Sequence, residues 1–443
     1  MMKIYRWMMI CFMMLMIVGL AACKTTSGDV LKIALDIEDE GRYDTLFQRF
    51  FDETGIRIEA TFGIDPSKCI GTSCEPDIMK TSTVVIDSMQ GTLLDLTDFI
   101  AQDDDVDPSH YVDALMEALT IDGKIYALPT SINTSLLYYN KRLFDESAQQ
   151  IRDALQLSLE ESVYPSSTWT YDDYVLAGVA LSKFTVLPNM TRSYTQFGAE
   201  TQLIWWGEWL VYLQQMGGSF YQANSQNRIC ALDTAIALEA TTFYVKKSMG
   251  NASEKFAPNA IEAASAFSFL NGNVAMIFGG HMGDWYSYDV LGLDWDIQVL
   301  PVPANQPNAV GGEISADAFG ISIRSNKRAQ AFQFLKMWTG VAGATEMVKY
   351  GKIGALKNMQ TIIHDLPIEE QPRININALF QAIDRATTLP REKDFPKVMR
   401  EMVMTELYKL MFTGRGAETN IQLVLNRIKH NVDQYYIGLY KNN

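Results

Sequence analysis

The sequence predicts an α/β fold built from two lobes whose chain segments interleave. Its 443 residues are enough for two or three domains of ordinary size, each with its own core. A strand, a helix and a second strand follow one another near the N-terminus, an order that is typical of parallel α/β architecture. No low-complexity linker divides the chain, so two lobes would have to be joined by several crossing segments.

The first strand–helix–strand unit lies between residues 30 and 60. Residues 30–35 (VLKIAL) form the first predicted strand. From about Asp44 the apolar residues recur at helical spacing, and Gly55 is expected to end that helix. Residues 56–60 (IRIEA) alternate between apolar and polar side chains, as a half-buried strand does.

Helical patterns dominate the rest of the chain. Pro165 and Pro188 break the first long helical region, and residues 301–312 form the most loop-like stretch of the interior. The predicted helical regions are residues 145–269, 329–347 and 377–440.

The N-terminal residues have the layout of a secretory signal. Lys3 and Arg6 precede an uncharged apolar run at residues 8–20, which is too short for a comfortable transmembrane helix. Residues 20–23 (LAAC) resemble the lipobox of bacterial lipoproteins, which implies a signal peptide over residues 1–22 and a lipid on Cys23. We therefore expect an exported protein, anchored to a membrane and facing the periplasm or the cell exterior. The alternative is an ordinary signal peptide with an incidental cysteine.

Three further cysteines belong to the exported part. Cys69 and Cys74 flank a short loop containing Gly71, and an oxidising compartment would allow them to form a disulfide. Two free thiols are the alternative, because sequence spacing does not establish the Cα separation that a disulfide requires. Cys230 is expected to be a small buried side chain.

Composition and missing motifs exclude several classes of function. A formal charge of −15 argues against a nucleic-acid partner, since such binding depends on basic surface. The four histidines are widely spaced, and neither a phosphate-binding glycine loop nor a nucleophile elbow occurs. Carboxylates are abundant, so a glycosidase pair is conceivable, but no pair stands out. We expect no cofactor, no metal and no catalytic residue.

Several short motifs, taken in order, carry a family resemblance. They comprise residues 50–56 (FFDETGI), 76–78 (PDI), 91–97 (GTLLDLT), 123–129 (GKIYALP), 137–144 (LYYNKRLF), 165–169 (PSSTW), 217–218 (GG), 269–276 (FLNGNVAM), 283–285 (GDW), 301–303 (PVP) and 311–312 (GG). In this order they resemble the extracellular solute-binding proteins (family 1) of bacterial sugar ABC transporters, the family that includes maltodextrin-binding protein. The resemblance extends over about three quarters of the chain.

The resemblance implies the two-lobe periplasmic-binding-protein fold of type II, with a ligand cleft between lobes that close by hinge motion. Crossings are expected near residues 133–138, near residues 312–316 and near Leu356. The implied division assigns residues 24–135 and 316–356 to lobe I, and residues 136–315 and 357–443 to lobe II. The implied partners are a small-molecule solute and the membrane permease, with the protein itself a monomer.

Sugar recognition needs flat apolar faces and fixed polar groups, so aromatic residues near the cleft are the first candidates. Trp285 occupies the position of the family's Gly-x-Trp tryptophan, although it could also be a core residue. Trp205 and Trp209 would share one helical face, expected to be core, which makes Trp206 the better ligand candidate.

The polar candidates lie where strands of an α/β sheet end. Asp36 and Glu38 follow the first strand, where they could bind ligand or cap the next turn. The remaining candidates are Thr81, Ser82, Asn133 and Thr134 through side chains, and Gly311 and Gly312 through close backbone approach at the hinge.

The resulting hypothesis is a lipid-anchored receptor that captures a mono- or oligosaccharide and delivers it to a permease. The same fold could instead bind a polyamine or another non-sugar solute. A secreted lipoprotein glycoside hydrolase is the alternative from a different class.

Overall fold

The computed structural model describes residues 30–64, 66–222, 229–251, 253–264, 267–280, 285–390, 394–412 and 418–441. The predicted signal peptide and Cys23 lie outside these residues. Within them, no helix is both long and apolar enough to cross a membrane.

The described strands are β1 (Val30–Leu35), β2 (Arg57–Phe62), β3 (Ile78–Ser82), β4 (Thr120–Ile121), β5 (Lys124–Ile125), β6 (Leu128–Thr134), β7 (Leu136–Asn140), β8 (Lys183–Val186), β9 (Arg192–Gln196), β10 (Met276–Gly280), β11 (Trp295–Gln298), β12 (Glu313–Ile321), β13 (Ile353–Gly354) and β14 (Thr387–Thr388).

The described α-helices are α1 (Asp44–Thr54), α2 (Thr97–Ala101), α3 (Asp113–Ala118), α4 (Lys141–Glu146), α5 (Ala148–Leu155), α6 (Tyr171–Leu181), α7 (Gly207–Gln215), α8 (Ala235–Met249), α9 (Ala260–Ala263), α10 (Trp285–Val290), α11 (Arg328–Thr339), α12 (Val341–Val348), α13 (Met359–Asp365), α14 (Ile376–Arg385), α15 (Phe395–Val398), α16 (Thr405–Phe412) and α17 (Glu418–Lys441), with a π-helical stretch at Met399–Met404.

The predicted N-terminal unit is confirmed. Strands β1 and β2 pair in parallel, and α1 connects them. Gly55 ends α1 with φ of 73°, and its amide donates to the Phe51 carbonyl at 2.7 Å. Glycine adopts this left-handed conformation without the clash that a Cβ atom would cause.

Two sheets organise the two lobes. The large sheet has the order β13-β6-β12-β3-β1-β2, with β14 beside the start of β12, and the small sheet has the order β10-β7-β11. In the large sheet, β12 runs antiparallel to both β3 and β6. Strands β1, β3 and β6 therefore point the same way, and their carboxyl ends meet at one edge. We call this edge, together with the start of β12, the cleft edge.

The segments that pass between the lobes meet around Ser135. Only Ser135 separates β6 of the large sheet from β7 of the small sheet. The Ser135 hydroxyl accepts from the Glu313 amide at 3.0 Å, and the Gly312 carbonyl accepts from the Thr387 amide at 2.8 Å. Three segments that are distant in sequence therefore meet at Ser135.

The third crossing differs from the prediction near Leu356. Leu356 pairs with Tyr111, and α13 packs against α12 of the same lobe. The chain reaches the small sheet only with α14, which packs on β11, before it returns to the cleft edge at β14. The rest of the predicted division into lobes stays a prediction.

The small sheet packs against two cores, one on each of its faces. In β7, Leu137 and Tyr139 join one core with the helices α4–α8 and α15–α17, whereas Leu136 and Tyr138 face the core that continues under the large sheet. This alternation follows from the two-residue period of a strand. The region predicted as helical between residues 145 and 269 also contains the hairpin β8–β9, which the helical interpretation missed.

Candidate functional site

The cleft edge of the large sheet holds a small cavity of about 100 Å³. It forms there because the carboxyl ends of parallel strands leave space for side chains of the loops that follow. We call it the charged cavity, and it is lined by Asp36, Glu38, Arg42, Lys80, Ser131, Ile132, Asn133, Asp317, Gly351 and Lys352.

Its cations are paired within the protein. Lys80 contacts the carboxylate of Asp36 and lies 3.6 Å from that of Asp317. Lys352 Nζ lies 2.7 Å from Asp39, a carboxylate that is 2% exposed. The edge is thus an alternating network of charges.

Burial by itself would lower the pKa of both lysines. The carboxylates of Asp317 and Asp36 outweigh this effect and raise the pKa of Lys80 above its ordinary value. The pKa of Lys352 is also raised, because nearby Tyr43, Asp39 and Asp317 favour the charged ammonium. Both lysines therefore remain cationic at neutral pH.

A larger cavity of about 680 Å³ lies in the small-sheet lobe, near the end of β10. We call it the Trp205 cavity, and it is lined by Glu200, Thr201, Gln202, Leu203, Ile204, Trp205, Ser268, Phe269, Leu270, Ile277, Gly280 and Tyr288. Ile204 is 81% exposed and Leu270 44% exposed, so much of this lining presents apolar surface to solvent. Its volume is within the range of small-molecule sites.

Aromatic packing supports one wall of the Trp205 cavity. Tyr288 meets Phe269 edge-on at a centroid distance of 5.0 Å and Tyr138 at 5.9 Å. Tyr138 in turn stacks on Trp295 at 5.6 Å. Such contacts hold the rings of this wall in one orientation.

The extended segment β6–β7 connects the two cavities. Ser131 and Asn133 of β6 line the charged cavity, and Leu136 at the start of β7 pairs with Gly280, which lines the Trp205 cavity. The segment passes through the crossing point at Ser135. The two cavities therefore lie on different lobes beside the same hinge strand.

A third cavity of about 740 Å³ is lined by residues 289–295, 348–351 and 369–374 together with Lys141. Its aromatic residue, Trp295, is 6% exposed. It consequently presents little aromatic face, and the Trp205 cavity is the better candidate for stacking.

The tryptophan predictions have mixed outcomes. The backbone of Trp285 begins α10, but its side chain lies outside the described part of the structure. Trp206 is 5% exposed and packs against Phe395 in the core, while its neighbour Trp205 lines the cavity. The prediction placed both residues on a helix, whereas α7 begins at Gly207, so helical spacing does not decide which of the two side chains is buried.

Among the polar predictions, Asp36, Glu38 and Asn133 do line the charged cavity. Thr81 and Thr134 are 2% and 0% exposed, and their hydroxyl oxygens have no hydrogen-bond partner among the residues that the structure describes. The Ser82 hydroxyl accepts from the Val84 amide at 3.3 Å, as in a local turn.

The hinge glycines are closely packed. A Cβ atom on Gly311 would lie 2.6 Å from the Gln215 side chain, and one on Gly312 would lie 3.3 Å from Ser135. Gly312 also has φ of 111°, a conformation that side chains disfavour. Both positions therefore require glycine for close backbone approach.

Sequence reasoning missed Lys80, Lys352, Asp317, Trp205 and Tyr288. Lys80 lies two residues before the end of β3, on the same strand face as Ser82, which was a weak signal in its favour. Asp317 enters the site because β12 places it opposite Ser82, a pairing that no local pattern reveals.

The predicted local disulfide is present in the structure. Cys69 and Cys74 are bonded with their Cα atoms 5.3 Å apart. Cys230 is a buried free thiol whose pKa is raised by burial to about 12. In the described part of the chain, no group of three or more His, Cys, Asp or Glu side chains could hold a metal ion.

Two α/β lobes joined by crossing segments, with cavities on both sides of the crossing, define the class of two-lobed solute-binding proteins. The family model of the bacterial extracellular solute-binding proteins matches residues 40–345. The chain belongs to this family, whose extracellular description agrees with the predicted export.

Solved structures support the same fold. An ABC substrate-binding protein of Listeria monocytogenes, solved in complex with cycloalternan, aligns with a TM-score of 0.73 and 20% identity, covering 91% of this chain and 99% of that one. The sugar-binding protein MalE of Xanthomonas citri aligns with a TM-score of 0.70 and 14% identity, covering 94% and 100% of the two chains.

A curated relative is the arabinooligosaccharide-binding protein of Halalkalibacterium halodurans, 27% identical over 146 residues. That alignment covers 32% of this chain and 27% of the relative's length. The chain therefore matches only about a quarter of this relative.

Proposed function

We propose that the protein captures a saccharide between its two lobes and delivers it to the permease of an ABC importer. The observation that carries the proposal is the Trp205 cavity. It offers an indole face and exposed aliphatic surface to the C–H faces of sugar rings, and Gln202 and Glu200 lie among its lining residues. Pyranose rings require this combination of flat apolar and fixed polar groups.

The charged cavity across the hinge complements this surface. Asp36, Asn133 and Lys80 offer acceptors and donors for hydroxyl groups. The arabinooligosaccharide-binding relative and the cycloalternan complex named above support an oligosaccharide as the ligand class.

The charges favour a neutral ligand over a polyamine. A polyamine site needs carboxylates that are free to pair with ligand ammonium groups. Asp36 and Asp317 already face Lys80, and Asp39 already faces Lys352. An incoming amine would have to displace a partly buried lysine from each of these carboxylates.

The membrane anchor and the monomeric state are part of the same proposal. Cys23 carries a lipid that tethers the exported monomer to the membrane. Mass spectrometry of the protein extracted from membranes tests for this lipid. The protein has no catalytic role of its own, in keeping with its membership of a binding-protein family.

A thermal-unfolding screen tests the ligand class. Purified chain without the signal peptide is mixed with maltooligosaccharides, arabinooligosaccharides, cyclic oligosaccharides and their monosaccharides, and separately with spermidine and putrescine. At 100 times its Kd, a ligand adds about 2.7 kcal/mol to the free energy of unfolding, a readily measured increase in Tm. Stabilisation by amines without any saccharide would overturn the proposal, and so would hydrolysis of a bound sugar.

A further inference from the structure

A buried ion pair lies directly behind the Trp205 cavity. Lys247 Nζ of α8 and Glu208 Oε1 of α7 are 2.5 Å apart, and the two side chains are 1% and 0% exposed. Neither side chain lines the cavity, so neither belongs to the ligand-contacting surface described above.

Both charged groups also bond to the backbone of the cavity wall. Lys247 Nζ donates to the Glu200 carbonyl at 2.6 Å, and Glu208 Oε2 accepts from the Gln202 amide at 3.0 Å. Tyr244 adds a bond from its hydroxyl to the Gln202 carbonyl at 2.7 Å. Residues 200–206, which we call the cavity loop, form neither helix nor strand. Its geometry depends on these side-chain bonds together with two bonds to β10, from the Glu200 amide to the Met276 carbonyl at 2.8 Å and from Gln202 Nε2 to the Phe278 carbonyl at 2.8 Å.

Stability alone does not account for a pair at this depth. Burial lowers the pKa of Lys247, and the Glu208 carboxylate only partly offsets this effect. Replacing a buried ion pair by well-packed apolar residues often leaves the free energy of unfolding unchanged or raises it, because two charges no longer have to be desolvated. Apolar residues, however, could not make the hydrogen bonds to the Glu200 carbonyl and the Gln202 amide.

We propose that Glu208 and Lys247 are positioning residues for ligand binding, which hold the cavity loop so that Gln202 and Trp205 face the ligand. The pair acts through the loop and does not touch the ligand. The inference rests on the proposed saccharide function for its binding readout, but the order of the loop can be measured without any ligand.

The test is the double variant Glu208→Leu/Lys247→Met, which removes both charges together. The Glu200 carbonyl, the Gln202 amide and the Tyr212 hydroxyl lose their partners in this variant, while two charges no longer have to be desolvated. We therefore expect a folded protein with a moderately lowered Tm. At a temperature where it is fully folded, its Kd for the stabilising saccharide should rise at least tenfold, and amide exchange at Gln202 should accelerate. A double variant with wild-type affinity and wild-type exchange at Gln202 would reduce the pair to a structural role and overturn the proposal.

The neighbouring surface pair supplies a matched control. Lys246 and Glu254 lie 3.3 Å apart with side chains 47% and 34% exposed, and Lys246 is on the same helix. The variant Lys246→Met/Glu254→Gln should leave both the Kd and the exchange at Gln202 unchanged.

A wild-type measurement covers the remaining cases. If the double variant does not fold, hydrogen exchange of the free wild-type protein decides: strong protection of the Gln202 amide supports the proposal, and fast exchange overturns it. If no saccharide binds the wild type, the proposed function fails, while exchange at Gln202 in the variants still tests the pair.

Discussion

At the scale of single residues, two adjacent tryptophans differ in burial. The rings of Trp205 and Trp206 lie 4.0 Å apart and pack against the same core, but Trp205 is only partly buried and lines the cavity, whereas Trp206 is 5% exposed. We therefore expect Trp205 to affect mainly the affinity for the ligand, and Trp206 to affect mainly the free energy of unfolding.

We predict that Trp205→Ala raises the Kd for the stabilising saccharide at least tenfold, about 1.4 kcal/mol, because a stacking face is lost. Its free energy of unfolding should change little in comparison. Trp206→Ala should lower the free energy of unfolding by about 3–5 kcal/mol through the cavity that it leaves. Calorimetric titration and urea unfolding measure the two quantities, and an unchanged affinity in Trp205→Ala would remove that residue from the site.

The limits of sequence reasoning are clearest at this scale. Asp36 and Glu38 could be placed at the cleft because a parallel strand ends just before them. Trp205 could not be placed at the cleft from the sequence. Which of the two tryptophans is exposed there depends on whether the helix begins before them or at Gly207. Lys352 was beyond reach as well, because its partner Asp39 lies 313 positions away in the chain.

At the scale of elements, the disulfide loop before β3 lies away from the proposed site. The Asp77 amide next to it bonds the Lys32 carbonyl of β1, at the edge of the large sheet where these strands begin. Ligand contacts are proposed at the opposite edge, where the same strands end.

We predict that Cys69→Ser/Cys74→Ser lowers the free energy of unfolding by about 2 kcal/mol, the cost expected for opening so short a loop. Saccharide affinity should be unchanged, because the loop contributes no residue to either cavity on the cleft side. Urea unfolding with and without reductant, together with titration, checks both expectations. A large loss of affinity would contradict the separation of the two edges.

The elements themselves were only partly predictable. The unit from β1 to β2 followed from local periodicity and Gly55, because its strands are neighbours in both sequence and space. The place of β12 between β3 and β6 could not be predicted, because its register depends on pairs of residues that lie 180 to 243 positions apart in the chain. The hairpin β8–β9 was missed because it lies within a long region dominated by helical periodicity.

At the scale of the whole molecule, the proposed function depends on both lobes. The charged cavity belongs to the large-sheet lobe and the Trp205 cavity to the small-sheet lobe, with the segment β6–β7 between them. Closure around a ligand would bring an apolar stacking surface opposite a network of hydrogen-bonding groups.

The central claim is that one saccharide occupies the cleft and contacts both lobes. Hydrogen-exchange mass spectrometry with and without the stabilising saccharide tests it most directly. We predict that amide exchange slows in both lobes at the same ligand concentration, namely in residues 200–205 of one lobe and in residues 36–38 and 131–133 of the other. Protection confined to one lobe, or lying outside these segments, would contradict it.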